Sequence, residues 1–282
     1  MKEKDVNFQS PSLEVISPVG KGRKFRIALF DFDGTLSLIR EGWQEVMIPY
    51  FCEEFITSLP NHTESEDEII ALVTDFVDNL TGKQTIFQCI QLKTEIEKRG
   101  GCAKEAMDYK NEYLRRLFIR IEGRRNALAD KSISSEALLV RGSISFLEAL
   151  KKQGVEIFCA SGTDEPQVIE EAKLLGLDKY FGNNIFGARD EHAQQCSKEL
   201  VIKRLLSENN VKGEELLSFG DGFVEIELVK NVGGYAVAVA TDEKEQKGIN
   251  PLKREKLLAA GAHAVIPDFH NTEEIINHLF NN

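Results

Sequence analysis

Phe25-Arg26-Ile27-Ala28-Leu29-Phe30-Asp31-Phe32-Asp33-Gly34-Thr35-Leu36 is the stretch on which the reading of this chain turns. Its first half is apolar and rich in residues that favour strands, so Phe25 to Asp33 reads as a buried strand. The strand runs straight into two carboxylates at i and i+2, then a glycine and a threonine. On a regular strand such positions share a face, which aims both acids into one small volume. Charges that close repel unless a cation or a reacting group offsets them. An active site at the strand's C-terminal end accounts for that cost. The competing reading is a solvated Asp-Gly turn.

Working outward, composition sets the frame. A chain of 282 residues can bury a large core in one big domain or two modest ones. Hydrophobic content of 42% and charged content of 29% are ordinary for a soluble globular protein. The formal charge of -11 argues against non-specific nucleic-acid binding. No stretch approaches the roughly 18 apolar residues of a membrane span. The first 24 residues lack the apolar segment of a secretory signal. Five scattered cysteines (Cys52, Cys89, Cys102, Cys159, Cys196) have no CxxC spacing, which argues for a reducing compartment and against a zinc site. The expected location is cytoplasmic.

The rhythm of the sequence changes twice. Residues 1–24 read as an N-terminal tail or an added edge element. After the first strand, apolar residues recur at helical spacing in three sets. Trp43, Val46, Met47, Tyr50, Phe51 and Phe55 form one, and Ile69, Val73, Phe76, Val77 and Leu80 another. Tyr109, Tyr113, Leu114, Leu117, Phe118 and Ile121 form the third. Breakers at Pro60, Gly82 and Gly100-Gly101 separate them, so 38–137 is expected to be an all-helical insert. Beyond it, helices and strands alternate. Helices are expected at Ser143–Gln153, Glu165–Leu175, Lys198–Asn209 and Thr272–Phe280. Strands are expected at Val155–Ala160, Asn184–Gly187, Leu216–Phe219, Tyr235–Ala240 and Ala264–Ile266. This alternation implies an α/β fold, a doubly wound parallel sheet with helices on both faces and ligands at the strands' carboxyl ends.

Functional groups recur at those ends. Val155–Ala160 leads into Ser161-Gly162-Thr163, where a hydroxyl and backbone amides suit an anionic oxygen; an ordinary helix N-cap is the alternative. Leu216–Phe219 leads into Gly220-Asp221-Gly222, with Glu225 and Glu227 beyond. Acids facing those of the first strand make an oxygen-only site that favours Mg²⁺; alone they would be a solvated acidic turn. Lys198 opens the preceding helix, where it can neutralise a carboxylate and a phosphoryl group, with Lys203 as its competitor. The histidines show no grouped spacing.

Taken in order, this set resembles the haloacid dehalogenase superfamily, chiefly its phosphohydrolases. Asp31-Phe32-Asp33-Gly34-Thr35-Leu36 matches the first motif, DxDGT. Ser161-Gly162 matches the second and Lys198 the third, loosest motif. Gly220-Asp221 with an acid four positions after Asp221 matches the fourth, GDxxxD, except that the last acid is Glu225; Glu227 is the alternative. The resemblance covers residues 25–37 and 138–282, a Rossmann-like core, and places the helical insert 38–137 where the family carries a cap.

The resemblance implies a Mg²⁺-dependent phosphomonoesterase acting on a small phosphorylated metabolite, a sugar phosphate being one such, through an aspartyl-phosphate. Asp31 is the implied nucleophile and Asp33 the general acid and base. Asp31, Asp33 (through its carbonyl), Asp221 and Glu225 are the implied metal ligands. Ser161, Gly162, Lys198, Gly34 and Thr35 are the implied phosphate-binding groups. Arg40, Lys83 and Gln84 are the candidate substrate contacts from the insert, while Trp43 falls on an apolar stripe that suits core packing. A second Asp at 33 sets the chain apart from members that cleave carbon–halogen bonds. The alternatives are a phosphomutase of the β-phosphoglucomutase kind and a phosphate-binding protein without turnover. A dinucleotide-binding fold fails because no GxGxxG follows the first strand.

Overall fold

The computed structural model describes residues 12–189 and 198–281. Residues 1–11 of the expected tail, with His192 and Cys196, lie outside the described residues. Among the described residues, seven strands form one sheet. They are β1 (Glu14–Val15), β2 (Ile27–Phe30), β3 (Glu156–Asp164), β4 (Ile185–Ala188), β5 (Leu216–Gly220), β6 (Tyr235–Val239) and β7 (Ala264–Ile266). The order across the sheet is β1-β7-β6-β5-β2-β3-β4. Every pairing is parallel except β1 with β7.

The chain leaves β2 toward β3 and β4 on one side, then returns to β5 on the other and continues to β6 and β7. The winding therefore reverses between β2 and β5, which opens a crevice at their carboxyl ends. The strands are buried on both faces, as a covered parallel sheet requires. Alternation along β6 makes this concrete: Tyr235, Val237 and Val239 enter one core cluster, and Ala236, Ala238 and Ala240 the other.

Helices cover both faces. α1 (Gln44–Ser58), α2 (Glu66–Asn79), α3 (Thr85–Lys98) and α4 (Ala106–Ala129) occupy the insert. α5 (Ser143–Lys152), α6 (Glu165–Leu174) and α7 (Asp178–Phe181) follow around β3. α8 (Lys198–Glu208), α9 (Phe223–Asn231), α10 (Pro251–Ala259) and α11 (Thr272–Phe280) complete the chain. The apolar residues of the insert join the cluster that holds Phe30, Phe146, Phe219 and Phe269. Phe30 stacks on Phe219 at 4.7 Å between ring centroids, with Phe269 stacked on Phe146 at 4.9 Å beside them. This aromatic block pins the ends of β2 and β5 next to each other, one residue before Asp31 and Gly220.

The structure differs from expectation in three places. The first strand stops at Phe30, short of Asp33, because the chain turns: the N–H groups of Leu36 and Ser37 both reach the Phe32 carbonyl at 2.9 Å. β3 continues to Asp164, four residues beyond its expected end, so Ser161-Gly162-Thr163 lies on a strand and not in a strand-to-helix turn. Of residues 1–24, Glu14–Val15 pair antiparallel with β7, which is the added edge element expected as the alternative to a tail. Finally, α7, α9 and α10 were not anticipated; α9 carries both Glu225 and Glu227.

Candidate active site

The turn after β2 builds the first wall of the crevice. Gly34 adopts φ +75°, a backbone conformation that disfavours any side chain. An added Cβ there would also sit 2.2 Å from Asp221 Oδ2. The glycine thus lets the turn press against the acid delivered by β5. Thr35, fully buried, donates its hydroxyl to Asp221 Oδ1 at 3.3 Å. The Gly34 N–H donates to the Ser37 carbonyl at 2.9 Å. Both residues were expected to bind phosphate. The structure instead commits them to the turn and to Asp221.

Across the crevice, Lys198 Nζ donates to Asp31 Oδ1 at 2.7 Å and to Glu225 Oε2 at 3.0 Å. Glu225 reaches inward from the first turn of α9 because its carboxylate folds back onto the Gly222 N–H at 2.8 Å. Any Cβ at Gly220 or Gly222 would strike that side chain, at 2.4 and 2.8 Å. The flanking glycines are what allow a glutamate in a place where the motif has an aspartate. Glu227, two residues on, is exposed. Oxygens of Asp31, Asp221 and Glu225 lie within 4.8 Å of one another, a hard-oxygen set fit for a divalent cation.

Asp33 faces the other way. Its Oδ2 accepts from Thr163 Oγ1 at 2.8 Å and from Ser161 Oγ at 3.4 Å. Its Oδ1 is buried and accepts no hydrogen bond; the nearest cation is Arg40, with Nε 3.8 Å away. Burial pushes the Asp33 carboxyl up to about 6, against the opposing pull of Arg40. Burial also raises Asp31 well above the usual carboxylate range, with Lys198 opposing. Burial alone would lower Lys198, but Asp31 and Glu225 outweigh it and hold the ammonium charged.

These groups line one cavity of about 90 Å³. Asp31, Asp33, Ser161, Gly162, Lys198 and Asp221 form its core side. The insert supplies Thr81, Gly82, Lys83, Thr85, Gln88 and Tyr113, with Arg40 and Trp43 leading into it. Lys83 is thus at the cavity, whereas Gln84, expected beside it, is buried at the start of α3 and does not line it. Arg40 lines the cavity but is largely buried, with Nε and Nη2 bonded to Glu171 and Gln167.

Sequence reasoning missed several residues. Thr163 was read only as part of a turn. Lys253 donates to Asp221 Oδ2 at 2.8 Å and to Glu243 Oε1 at 2.6 Å, yet nothing distinguishes it among 35 basic residues. Glu171 is fully buried, on the helix stripe that also holds Val168 and Ala172. A glutamate on an apolar stripe was the one available signal.

A family model for haloacid dehalogenase-like hydrolases matches residues 25–233. The chain belongs to this family. A comparison with curated proteins finds no significant match. Among solved structures, the fold is similar to β-phosphoglucomutase from Clostridium difficile, with TM-score 0.58 and 15% identity over 90% of this chain and 96% of that one. It is likewise similar to a haloacid dehalogenase-like protein of unknown function from Agrobacterium tumefaciens, with TM-score 0.56 and 16% identity over 89% and 97%. A predicted phosphoglycolate phosphatase from Haemophilus somnus gives TM-score 0.54 and 16% identity over 91% and 99%. At these identities the likeness is one of fold. No helix among the described residues is long and apolar enough to cross a membrane.

Proposed function

We propose that this hydrolase is a Mg²⁺-dependent phosphomonoesterase acting on a small phosphorylated metabolite, with the insert 38–137 serving as a cap over the core of 25–37 and 138–282. The observation that carries the reading is the meeting of Asp31, Asp33, Lys198 and Asp221 around one cavity, with Glu225 behind them on Lys198. Asp31, Asp221 and Glu225 would hold the cation, with the Asp33 carbonyl as a further donor. Three carboxylates outnumber the two ammonium groups of Lys198 and Lys253 that touch them, which leaves an excess of negative charge for a cation to offset. When bound it offsets repulsion between these acids and an incoming phosphate.

The residues divide the chemistry. An oxygen of Asp31 attacks phosphorus, forming an aspartyl-phosphate, as the bond to the leaving oxygen breaks. That oxygen takes the electron pair and a proton from Asp33. Water then attacks phosphorus and gives its proton to Asp33, and the Asp31 carboxylate is released with phosphate as the second product. Asp33, poised near 6 by burial, suits both directions of proton transfer. Lys198, Ser161 and the Gly162 backbone flank the place where phosphoryl oxygens would lie. The cavity lies between the acids of the core and the 81–85 segment of the insert, so movement of that segment would govern entry. Of the cations lining the cavity, Arg40 is held by Glu171 and Gln167 and Lys198 by Asp31 and Glu225, whereas Lys83 is exposed. That scarcity of cations for a second phosphate favours hydrolysis over a mutase cycle.

The test is phosphate release from a panel of phosphorylated metabolites, with Mg²⁺ and with chelator, beside Asp31→Asn. Metal-dependent release that vanishes in the variant is expected. Unchanged activity in Asp31→Asn would remove it from the nucleophile's role. Binding of phosphate esters without release would favour the mutase or a silent binding protein.

A further inference from the structure

We propose that Glu171 is a positioning residue for Asp33, acting through Arg40. By gripping the guanidinium it keeps Arg40 off Asp33 Oδ1, reserving that oxygen for proton transfer to the leaving group. This rests on the phosphohydrolase reading above.

Arg40 lies six residues beyond Gly34, in the segment that leads from the catalytic turn to α1. Its Nε donates to Glu171 Oε2 at 3.0 Å, and its Nη2 to Glu171 Oε1 at 2.8 Å. Nη2 also donates to Gln167 Oε1 at 2.9 Å, one turn earlier on α6. Glu171 is wholly buried and Arg40 nearly so. A buried ion pair of this kind gives little net stability over apolar residues of the same volume. Its placement therefore calls for another reason.

Asp33 supplies one. Thr163 and Ser161 occupy Oδ2, which leaves Oδ1 as the oxygen able to carry a proton to substrate. Oδ1 is buried and unpartnered. Arg40 Nε stops 3.8 Å from it, about 1 Å beyond a charge-assisted hydrogen bond. Without Glu171, the guanidinium has a single nearby anion to turn to. Closing that gap would make Asp33 half of a fixed ion pair and cover the oxygen that must donate. Held at its present distance, the positive charge still favours the carboxylate that remains once the proton has left. In the step concerned, the bond from phosphorus to the leaving oxygen breaks as the Asp31 oxygen bonds to phosphorus. The proton on Oδ1 passes to that leaving oxygen.

The experiment compares kcat/KM, which reports transfer to Asp31 alone, for phenyl, 4-nitrophenyl and 2,4-dinitrophenyl phosphate. Their leaving groups span pKa values of about 10, 7 and 4, so the need for an acid falls along the series. In Glu171→Gln, phenyl phosphate is expected to lose about 100-fold, and the dinitrophenyl ester less than about 3-fold. Glu171→Gln combined with Arg40→Gln removes the cation that captures Asp33, and should recover about tenfold on phenyl phosphate. Glu171→Asp keeps the charge but withdraws the grip, and gives the same comparison if Glu171→Gln does not fold. Equal losses on all three esters in a folded variant, or a double variant worse than the single, would overturn the positioning role and leave the phosphohydrolase reading standing. No release by the wild-type protein from any ester would overturn both.

Discussion

Gly162 and Lys83 meet backbone to backbone: a Cβ added to Gly162 would lie 2.5 Å from the Lys83 carbonyl oxygen. The strand that carries Ser161 and the loop that roofs the site are thus in contact through a position only glycine fills. Nothing about the backbone angle at Gly162 demands glycine, since it carries no positive φ. The constraint is the approach of the insert. Gly162→Ala should therefore fold and melt close to wild type but hold the 81–84 loop away from the acids. Activity should drop by about 10- to 100-fold, the effect of displacing catalytic geometry by around 1 Å. Phosphate release beside a thermal melt checks this; full activity in the variant would mean the loop does not need to reach this position.

A second glycine is constrained from both sides. Gly34→Ala must place a side chain at φ +75°, which costs about 1–2 kcal/mol. It must also displace the Asp221 carboxylate, 2.2 Å from the new Cβ. The wild-type protein should gain thermal stability with millimolar Mg²⁺. Gly34→Ala should melt lower and gain little or nothing from the cation. An undiminished Mg²⁺ shift in the variant would place the cation elsewhere.

What could be read from the sequence were features encoded locally. The apolar run before Asp31 announces a buried strand, and the β7 and α11 boundaries, 264–266 and 272–280, match their expected limits because periodicity and turn residues bracket them. The acids at strand ends announce themselves by position. The partners of those acids were not legible. Lys253, Glu243, Thr163 and Glu171 reach the site from elements that tertiary packing alone brings there. The end of β3 was misjudged for the same reason. Ser161, Gly162 and Thr163 have no strand signature of their own and are held extended by neighbours, with an irregular register against β4.

Glu225 and Glu227 separate cleanly on geometry. Glu225 is 4% exposed and bonded to Lys198 and Gly222, whereas Glu227 faces solvent. Glu225→Ala should raise the Mg²⁺ concentration needed for half-maximal activity by about 10- to 100-fold, the usual effect of disturbing an acid at a metal site. Glu227→Ala should leave it unchanged. A Mg²⁺ titration of activity ranks the two, and the reverse order would move the ligand to Glu227.

Asp33 ties stability to pH in a direction opposite to that of a salt-bridged acid. Its carboxyl is raised from 3.8 to about 6, chiefly by burial. Folding therefore takes up a proton at Asp33 between those values. Its contribution favours the folded state below about 3.8 and weakens as pH rises toward 6. Above 6 the buried charge opposes folding in full. Asn has the shape of the protonated acid and no charge to bury. In the metal-free protein, Asp33→Asn should thus already melt above wild type at pH 5, where about half of the penalty is present, and further above it at pH 8, by a margin on the order of 5 °C. Adding Mg²⁺ at pH 8 should narrow that margin, because a cation beside Asp31 and Asp221 relieves the charge that Asp33 feels. Thermal melts of both proteins at the two pH values, with chelator and with Mg²⁺, check the sign directly. A variant less stable than wild type at pH 8 would mean that Arg40 pairs with Asp33 strongly enough to outweigh burial. The carboxyl would then lie below its ordinary value, and Asp33 could not serve as the proton donor.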